Sequence, residues 1–226
     1  MTETPAALAA RTTARILIEI AAVHFRPDQP FKLTSGRASP VYIDCRKIIS
    51  FPRARAAIID RAVELIEREI GFESLDAIAG GETAGIPFAA WIADRLALPM
   101  LYIRKKPKGF GRGAQIEGEM KPGARCLLVE DLATDGGSKV NFINAIREGG
   151  GQVKDAFVVF HYGIFPQSVT TLAGLGVRLH GLATWHDILA EAESSNLLDP
   201  AGARQVRHFL GDPEGWSAAH GGTVST

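Results

Sequence analysis

Two clusters of charged residues carry most of the chemistry legible in this chain. The first is Glu130-Asp131, which directly follows the apolar run Cys126-Leu127-Leu128-Val129 and precedes Leu132-Ala133-Thr134-Asp135-Gly136-Gly137-Ser138-Lys139. Carboxylates accept hydrogen bonds from hydroxyls, and the N–H groups of a small-residue loop that opens a helix gather an anion. Carboxylates for hydroxyls beside a cradle for phosphate suit a sugar phosphate. An isolated acidic pair is more often a helix-capping turn, but the attached Thr134-Asp135-Gly136-Gly137-Ser138 favours a ligand site. Lys139 follows Ser138, and no G-x-x-x-x-G-K-[ST] occurs, so this is not a Walker loop.

The second cluster is cationic. Between Arg104 and Arg112, Arg104, Lys105, Lys106, Lys108 and Arg112 carry positive charge, and no acid appears before Glu117. A charge run alone is usually a solvated face. Here glycines 109, 111 and 113 accompany it, and such a loop suits a pyrophosphate leaving as negative charge accumulates on it. Gly109-x-Gly111-x-x-Ala114 also fits a dinucleotide fingerprint in form. Pro107 and the preceding cations, with no apolar helix following, exclude that reading.

These segments need elements to hold them. Short apolar runs at 75–79, 99–103, 125–129, 153–160 and 177–182 read as strands, with helices between them at 86–96, 140–148 and 168–175. That alternation predicts βαβ units and a parallel sheet flanked by helices. Ligands bind beyond the carboxyl ends of such strands. Gly80-Gly81-Glu82-Thr83, the cationic segment and the acidic loop all follow strands, so they belong on one edge. Before the sheet, an amphipathic helix is predicted over 6–23. Short strands at 31–34 and 41–44 surround Ser35-Gly36-Arg37, and a helix runs from Pro52 to about Glu69. Closing helices are predicted at 185–192 and 202–210, with fraying from Gly211 onward. The expected organisation is an N-terminal helix and hood over 1–50, an α/β core over 51–195, and a C-terminal helix and mobile tail over 196–226.

The 226 residues carry 25 basic and 25 acidic side chains, and 46% are hydrophobic. That composition is globular, and zero net charge argues against nucleic acid as partner. Cys45 and Cys126 form no C-x-x-C pair, and no run is long and apolar enough for a membrane span. The expectation is a cytoplasmic protein with no membrane partner. The six histidines lack metal-ligand spacing, and neither G-x-S-x-G nor H-E-x-x-H is present.

The segment 126–139 resembles the phosphoribosyl-pyrophosphate (PRPP) motif of type I phosphoribosyltransferases. The cationic segment with Glu117-Gly118 resembles the catalytic loop of the orotate branch of that family. Phe31-Lys32-Leu33-Thr34-Ser35-Gly36-Arg37-x-Ser39-Pro40 and Gly80-Gly81-Glu82-Thr83-Ala84-Gly85-Ile86-Pro87 extend the match, in collinear order, over about residues 10–190. The resemblance implies a type I phosphoribosyltransferase core with a small N-terminal hood. It also implies Mg²⁺-dependent conversion of orotate and PRPP to orotidine 5′-monophosphate and pyrophosphate, a step of pyrimidine synthesis. Mg²⁺ would be held through PRPP and water, with no dedicated protein ligand set.

Carried over by position, Lys108, Lys105 and Asp131 are the catalytic candidates. Arg104, Lys105 and Lys108 would contact pyrophosphate, and Glu130 and Asp131 the ribose. Leu132, Ala133, Thr134, Asp135, Gly136, Gly137 and Ser138 would form the phosphate loop. Lys32 and the Ser35-Gly36-Arg37 turn are candidates for the orotate carboxylate. The family resemblance further implies a homodimer, with loop 104–113 shared between subunits. The chain departs from the better-known pattern at Phe110, where many members have His, and at Ala84, where some carry Lys. A third departure is Tyr162, near an orotate-binding Arg of some members. Transfer to another base and a non-catalytic PRPP-binding regulator are the competing readings.

Overall fold

The computed structural model describes residues 3–107, 115–134 and 136–223. Its elements are α1 (Pro5–Glu19), β1 (Val23–Phe25), β2 (Phe31–Lys32), β3 (Ala38–Ser39), β4 (Val41–Ile43), a 3₁₀ helix (Cys45–Ser50) and α2 (Pro52–Glu69). There follow β5 (Ala77–Gly81), α3 (Gly85–Leu96), β6 (Met100–Ile103), β7 (Ile116–Glu117), β8 (Arg125–Ala133) and α4 (Gly137–Glu148). The series closes with β9 (Gln152–His161), α5 (Gln167–Gly174), β10 (Arg178–Thr184), α6 (Trp185–Ser194), α7 (Pro200–Gly211) and α8 (Pro213–Ala219). Two compact units result, one of residues 52–182 and one of residues 1–51 with 183–226.

The first unit is built on a sheet of order β10-β9-β8-β5-β6-β7. Strands β6, β5, β8 and β9 run parallel, and β7 pairs antiparallel with β6. Strand side chains alternate between faces. Ala77, Ala79, Leu101, Ile103, Cys126 and Leu128 therefore share one face, where they pack with Phe142, Ile143 and Ile146 of α4. Burying a side chain such as Phe142 contributes roughly 1.5–3 kcal/mol. On the other face α3 lies against β5 and β8, and Gly85 at its first turn allows close approach. A Cβ there would overlap the Val129 carbonyl oxygen. The mixed α/β, parallel-dominated sheet is the one the alternation predicts, and β7 is an antiparallel edge the pattern does not reveal.

In the second unit α1 packs on α6, and α6, α7 and α8 follow one another in contact. Helix α1 starts on a Thr4 cap before Pro5 and ends at Glu19, and Ala21 turns the chain with a φ of 53°. Val23, predicted as the last residue of that helix, instead opens β1, which pairs with β4. The strand predicted at 31–34 pairs with Ala38–Ser39 instead of the run at 41–44. Beyond Gly211, where composition predicts fraying, Asp212 caps α8 and its Trp216 is fully buried against Phe209. No described helix is long and apolar enough to cross a membrane.

Candidate active site

The acidic pair lies within strand β8 rather than just beyond it, since pairing with β9 continues through Leu132 and Ala133 to His161. Glu130 and Asp131 are buried, at 9% and 8% exposure. A buried carboxylate needs compensation. For Glu130 the partner is Lys139, in the first turn of α4, whose Nζ lies 2.6 Å from Oε2. The same ammonium donates to the Leu132 carbonyl at 2.9 Å, and the Ser138 hydroxyl donates to Glu130 at 3.4 Å. Lys139 thus ties the strand end to the helix start across the loop between them. Sequence reading used Lys139 only to exclude a Walker loop. The available signal was an opposite charge across a strand–loop–helix reversal.

The loop itself runs from Ala133, buried, through half-buried Thr134 to Gly136, and Asp135 lies outside the described residues. Gly136 takes a φ of 84°, a left-handed conformation that favours glycine. It also lies close to Ser168, whose carbonyl oxygen would be 3.2 Å from an added Cβ. Gly137 and Ser138 are exposed in the first turn of α4, a helix long enough for its N-terminus to attract an anion. Behind the loop, the Ser168 hydroxyl donates to the Phe165 carbonyl and meets His161 Nε2 at 2.8 Å. Burial, and secondarily the Lys139 ammonium, hold His161 below its ordinary value of 6.5. Tyr162 donates its N–H to the Ala133 carbonyl and stacks its buried ring on Phe165.

The cationic segment begins at the end of β6. Arg104 and Gln115 close a stem beyond the β6–β7 pair: the Arg104 N–H donates to the Gln115 carbonyl, and the Gln115 side chain donates to the Arg104 carbonyl, both at 2.8 Å. The Arg104 guanidinium lies 3.4 Å from Glu117. Lys105 is held on both sides of its backbone. Its N–H donates to Glu82 at 2.7 Å, and its carbonyl accepts from the Asn141 side chain at 3.0 Å. Glu82 follows β5 and Asn141 belongs to α4, so Lys105 joins the glycine loop, the cationic segment and the helix α4. Its own side chain is left exposed. Neither Glu82 nor Asn141 stood out in sequence beyond its place near a motif.

Gly80 and Gly81 are filled tightly: a Cβ on Gly81 would come within 2.7 Å of the Phe142 ring. The Glu82–Thr83 peptide bond is cis, and Ala84 caps α3 without a side-chain bond. Lys108, Phe110 and Arg112 lie outside the described residues. Lys32 is exposed on β2, in the unit of residues 1–51 and 183–226. Among the described residues no group of three or more His, Cys, Asp and Glu gathers as a metal-binding cluster. The oxygen chemistry of Glu130 and Asp131 nonetheless fits a hard cation held with a polyoxygen ligand.

Comparison with known proteins bears on what this edge does. A family model described as the phosphoribosyl transferase domain matches residues 49–163. The orotate phosphoribosyltransferase of Cereibacter sphaeroides is 57% identical over 210 residues, covering 93% of this chain and 90% of the relative. That of Rhizobium rhizogenes is 54% identical over 224 residues, covering 99% and 97%. Among solved structures, orotate phosphoribosyltransferase from Aeropyrum pernix matches with a TM-score of 0.68 at 32% identity, covering 80% of this chain and 99% of that one.

Proposed function

The chain belongs to the orotate phosphoribosyltransferase family, and from that premise we propose that it transfers the 5-phosphoribosyl group of PRPP to orotate, yielding orotidine 5′-monophosphate and pyrophosphate. The observation that carries this reading is the backbone of Lys105, bonded to Glu82 and to Asn141. Those bonds bring a cationic segment, a glycine loop and the helix behind an acidic strand end to one place. Such an edge offers cations to a pyrophosphate, N–H groups to a phosphate and carboxylates to ribose hydroxyls.

In the reaction the bond from ribose C1 to the pyrophosphate oxygen breaks ahead of the bond to the pyrimidine N1. Pyrophosphate leaves with the electron pair, so positive charge grows on the ribose and negative charge on the leaving group. Lys105, Arg104 and Lys108 stabilise the leaving group. Arg104 does so by exchanging Glu117 for phosphate oxygens. Glu130 and Asp131 hold the ribose hydroxyls, and the N–H groups of 134–138 with the start of α4 hold the 5′-phosphate. Orientation of the two reactants then supplies much of the remaining acceleration. Lys32 and the Ser35-Gly36-Arg37 turn meet the orotate carboxylate. Mg²⁺ would be held mostly by PRPP oxygens, with Glu130 and Asp131 beside it, and would offset the substrate's negative charge. The loop 104–113 acts in a homodimer, reaching the partner's site.

The deciding experiment supplies purified protein with PRPP and Mg²⁺, and with orotate, uracil, hypoxanthine or nicotinate in parallel, and measures pyrophosphate release. Orotate-dependent release is expected; turnover of another base alone would sink the assignment. Mixing Lys108→Ala with Asp131→Asn subunits tests the shared site. Activity returns on mixing if the loop acts on its partner, and stays absent if it acts within its own subunit.

A further inference from the structure

The unit formed by residues 1–51 and 183–226 contains an arrangement with no counterpart in the sequence motifs. The chain after α8 returns to the tip of the β2–β3 hairpin. The Thr223 N–H donates to the Gly36 carbonyl at 3.0 Å, and the Thr223 hydroxyl donates to the Ser35 carbonyl at 3.1 Å. Ser217, fully buried on α8, accepts the Ala38 N–H at 3.0 Å and donates to the Thr223 carbonyl at 3.1 Å. Glu214, also on α8, lies 3.7 Å from the Arg37 guanidinium. Gly36, with a φ of 82°, leaves no room for a side chain: a Cβ would come within 2.6 Å of the Thr223 hydroxyl.

The chemical effect of these bonds is one-sided. The Ser35 and Gly36 carbonyls are taken up by Thr223, and the Leu33 carbonyl accepts the Gly36 N–H at 2.8 Å. Carbonyl oxygens directed at an anionic ligand would repel it. With the Leu33, Ser35 and Gly36 carbonyls engaged, three acceptors are drawn away from a ligand at the tip, beside which the Lys32 side chain is exposed. Fixing a carbonyl also fixes the plane of its peptide, and the N–H groups that follow, those of Gly36 and Arg37, donate inward to the Leu33 carbonyl and the Ser35 hydroxyl, which closes the turn.

We infer that the C-terminal segment from Pro213 to Thr223 is a positioning element for the carboxylate-bearing base, holding the Ser35-Gly36-Arg37 turn with its carbonyls engaged and so turned from the anion. This rests on the proposed role of that hairpin in orotate recognition. The segment does not touch the reacting atoms; it acts through the turn, and its substrate is the anionic base rather than PRPP.

The test is a chain ending at Gly222, which keeps α8 and buried Trp216 but loses both Thr223 donors. Steady-state kinetics on each substrate and thermal melting are measured on this variant, on Thr223→Val, on Thr223→Ser and on Lys32→Ala. The truncated chain should show an orotate KM raised about tenfold, from two lost hydrogen bonds of ordinary worth. Its kcat and PRPP KM should stay close to those of the full chain. Thr223→Val should fall between, and Thr223→Ser should restore the orotate KM. An unchanged orotate KM in the truncated chain overturns the inference. A parallel rise of both KM values with a lowered Tm also overturns it, because that is the signature of general loosening. Lys32→Ala separates the two levels. If it raises the orotate KM while truncation does not, only the tail's role falls. If neither variant moves it, the orotate role of the hairpin falls as well.

Discussion

Replacing Lys139 by Met removes one charge from the Glu130–Lys139 pair while keeping the length of the side chain. In the structure the lysine side chain is 3% exposed and that of Glu130 11%, with the charged atoms 2.6 Å apart. Removing one partner of a buried pair costs about 3–5 kcal/mol, because the other charge stays desolvated. The Leu132 carbonyl loses its donor as well, worth about 1 kcal/mol. The Ser138 hydroxyl, at 3.4 Å, is too far from Glu130 to compensate. The expected loss is therefore about 4–6 kcal/mol, or a fall in Tm of roughly 8–24 °C for a chain of this size.

Urea denaturation followed by tryptophan fluorescence reads the loss directly. Glu130→Gln and the double variant complete the cycle, and the double variant should be more stable than the sum of the single losses implies, by more than 1 kcal/mol. On the role proposed for Glu130 at the ribose, kcat/KM should also fall in Lys139→Met, since the carboxylate loses its fixed orientation. A single-variant loss below about 1 kcal/mol with strictly additive effects would refute the argument. It would mean that Lys139 sits beside Glu130 without holding it.

Burial holds His161 below its ordinary 6.5, so the unfolded chain takes up a proton there before the folded chain does. Stability should be unaffected by this group above pH 6.5 and should decline as pH falls from 6.5 toward the lowered folded value. In urea melts at pH 7.5 and 5.5, His161→Gln should lose less stability between the two than the parent. Cys126 is 2% exposed, and desolvation, followed by the charge of Asp76, pushes its thiol up to about 11; Cys45 is fully buried. Neither thiol should react with iodoacetamide at pH 8 in the native protein, and both should react in denaturant, as peptide mass mapping would record. Gly85→Ala should destabilise by at least about 2 kcal/mol, because the new methyl meets the Val129 backbone rather than a yielding side chain. A thermal melt matching the parent would contradict that packing.

The sheet was legible because its strands are continuous apolar runs, which a parallel sheet covered on both faces demands. The terminal residues were less so. The strand predicted to stop at Val129 continues to Ala133 through Glu130 and Asp131, because pairing with β9 and the Lys139 ammonium offset the burial of charge. Nothing local to the pair announces that offset. Helix α8 was obscured by Gly, Ser and Ala in its composition. Its start nevertheless carries the Asp-Pro signature found at α7, with Asp199 and Asp212 capping helices that open on Pro200 and Pro213. The site motifs were visible as residue types in order, whereas the contacts that tie them together, through Glu82, Asn141 and Lys139, depend on tertiary geometry.

The stem formed by Arg104 and Gln115 sets how this enzyme can vary. It brings Arg104 and Gln115, at either end of the residues between them, to hydrogen-bonding distance. A closed stem separates the cost of the segment from the integrity of the sheet. Loop-closure entropy rises only as the logarithm of length, about 0.6 kcal/mol for each doubling. Residues inserted or deleted between Lys106 and Ala114 would therefore change reach and charge with little effect on folding. The length and charge of that segment can thus change independently of the sheet, much as an engineer changes a tool bit without rebuilding the chuck.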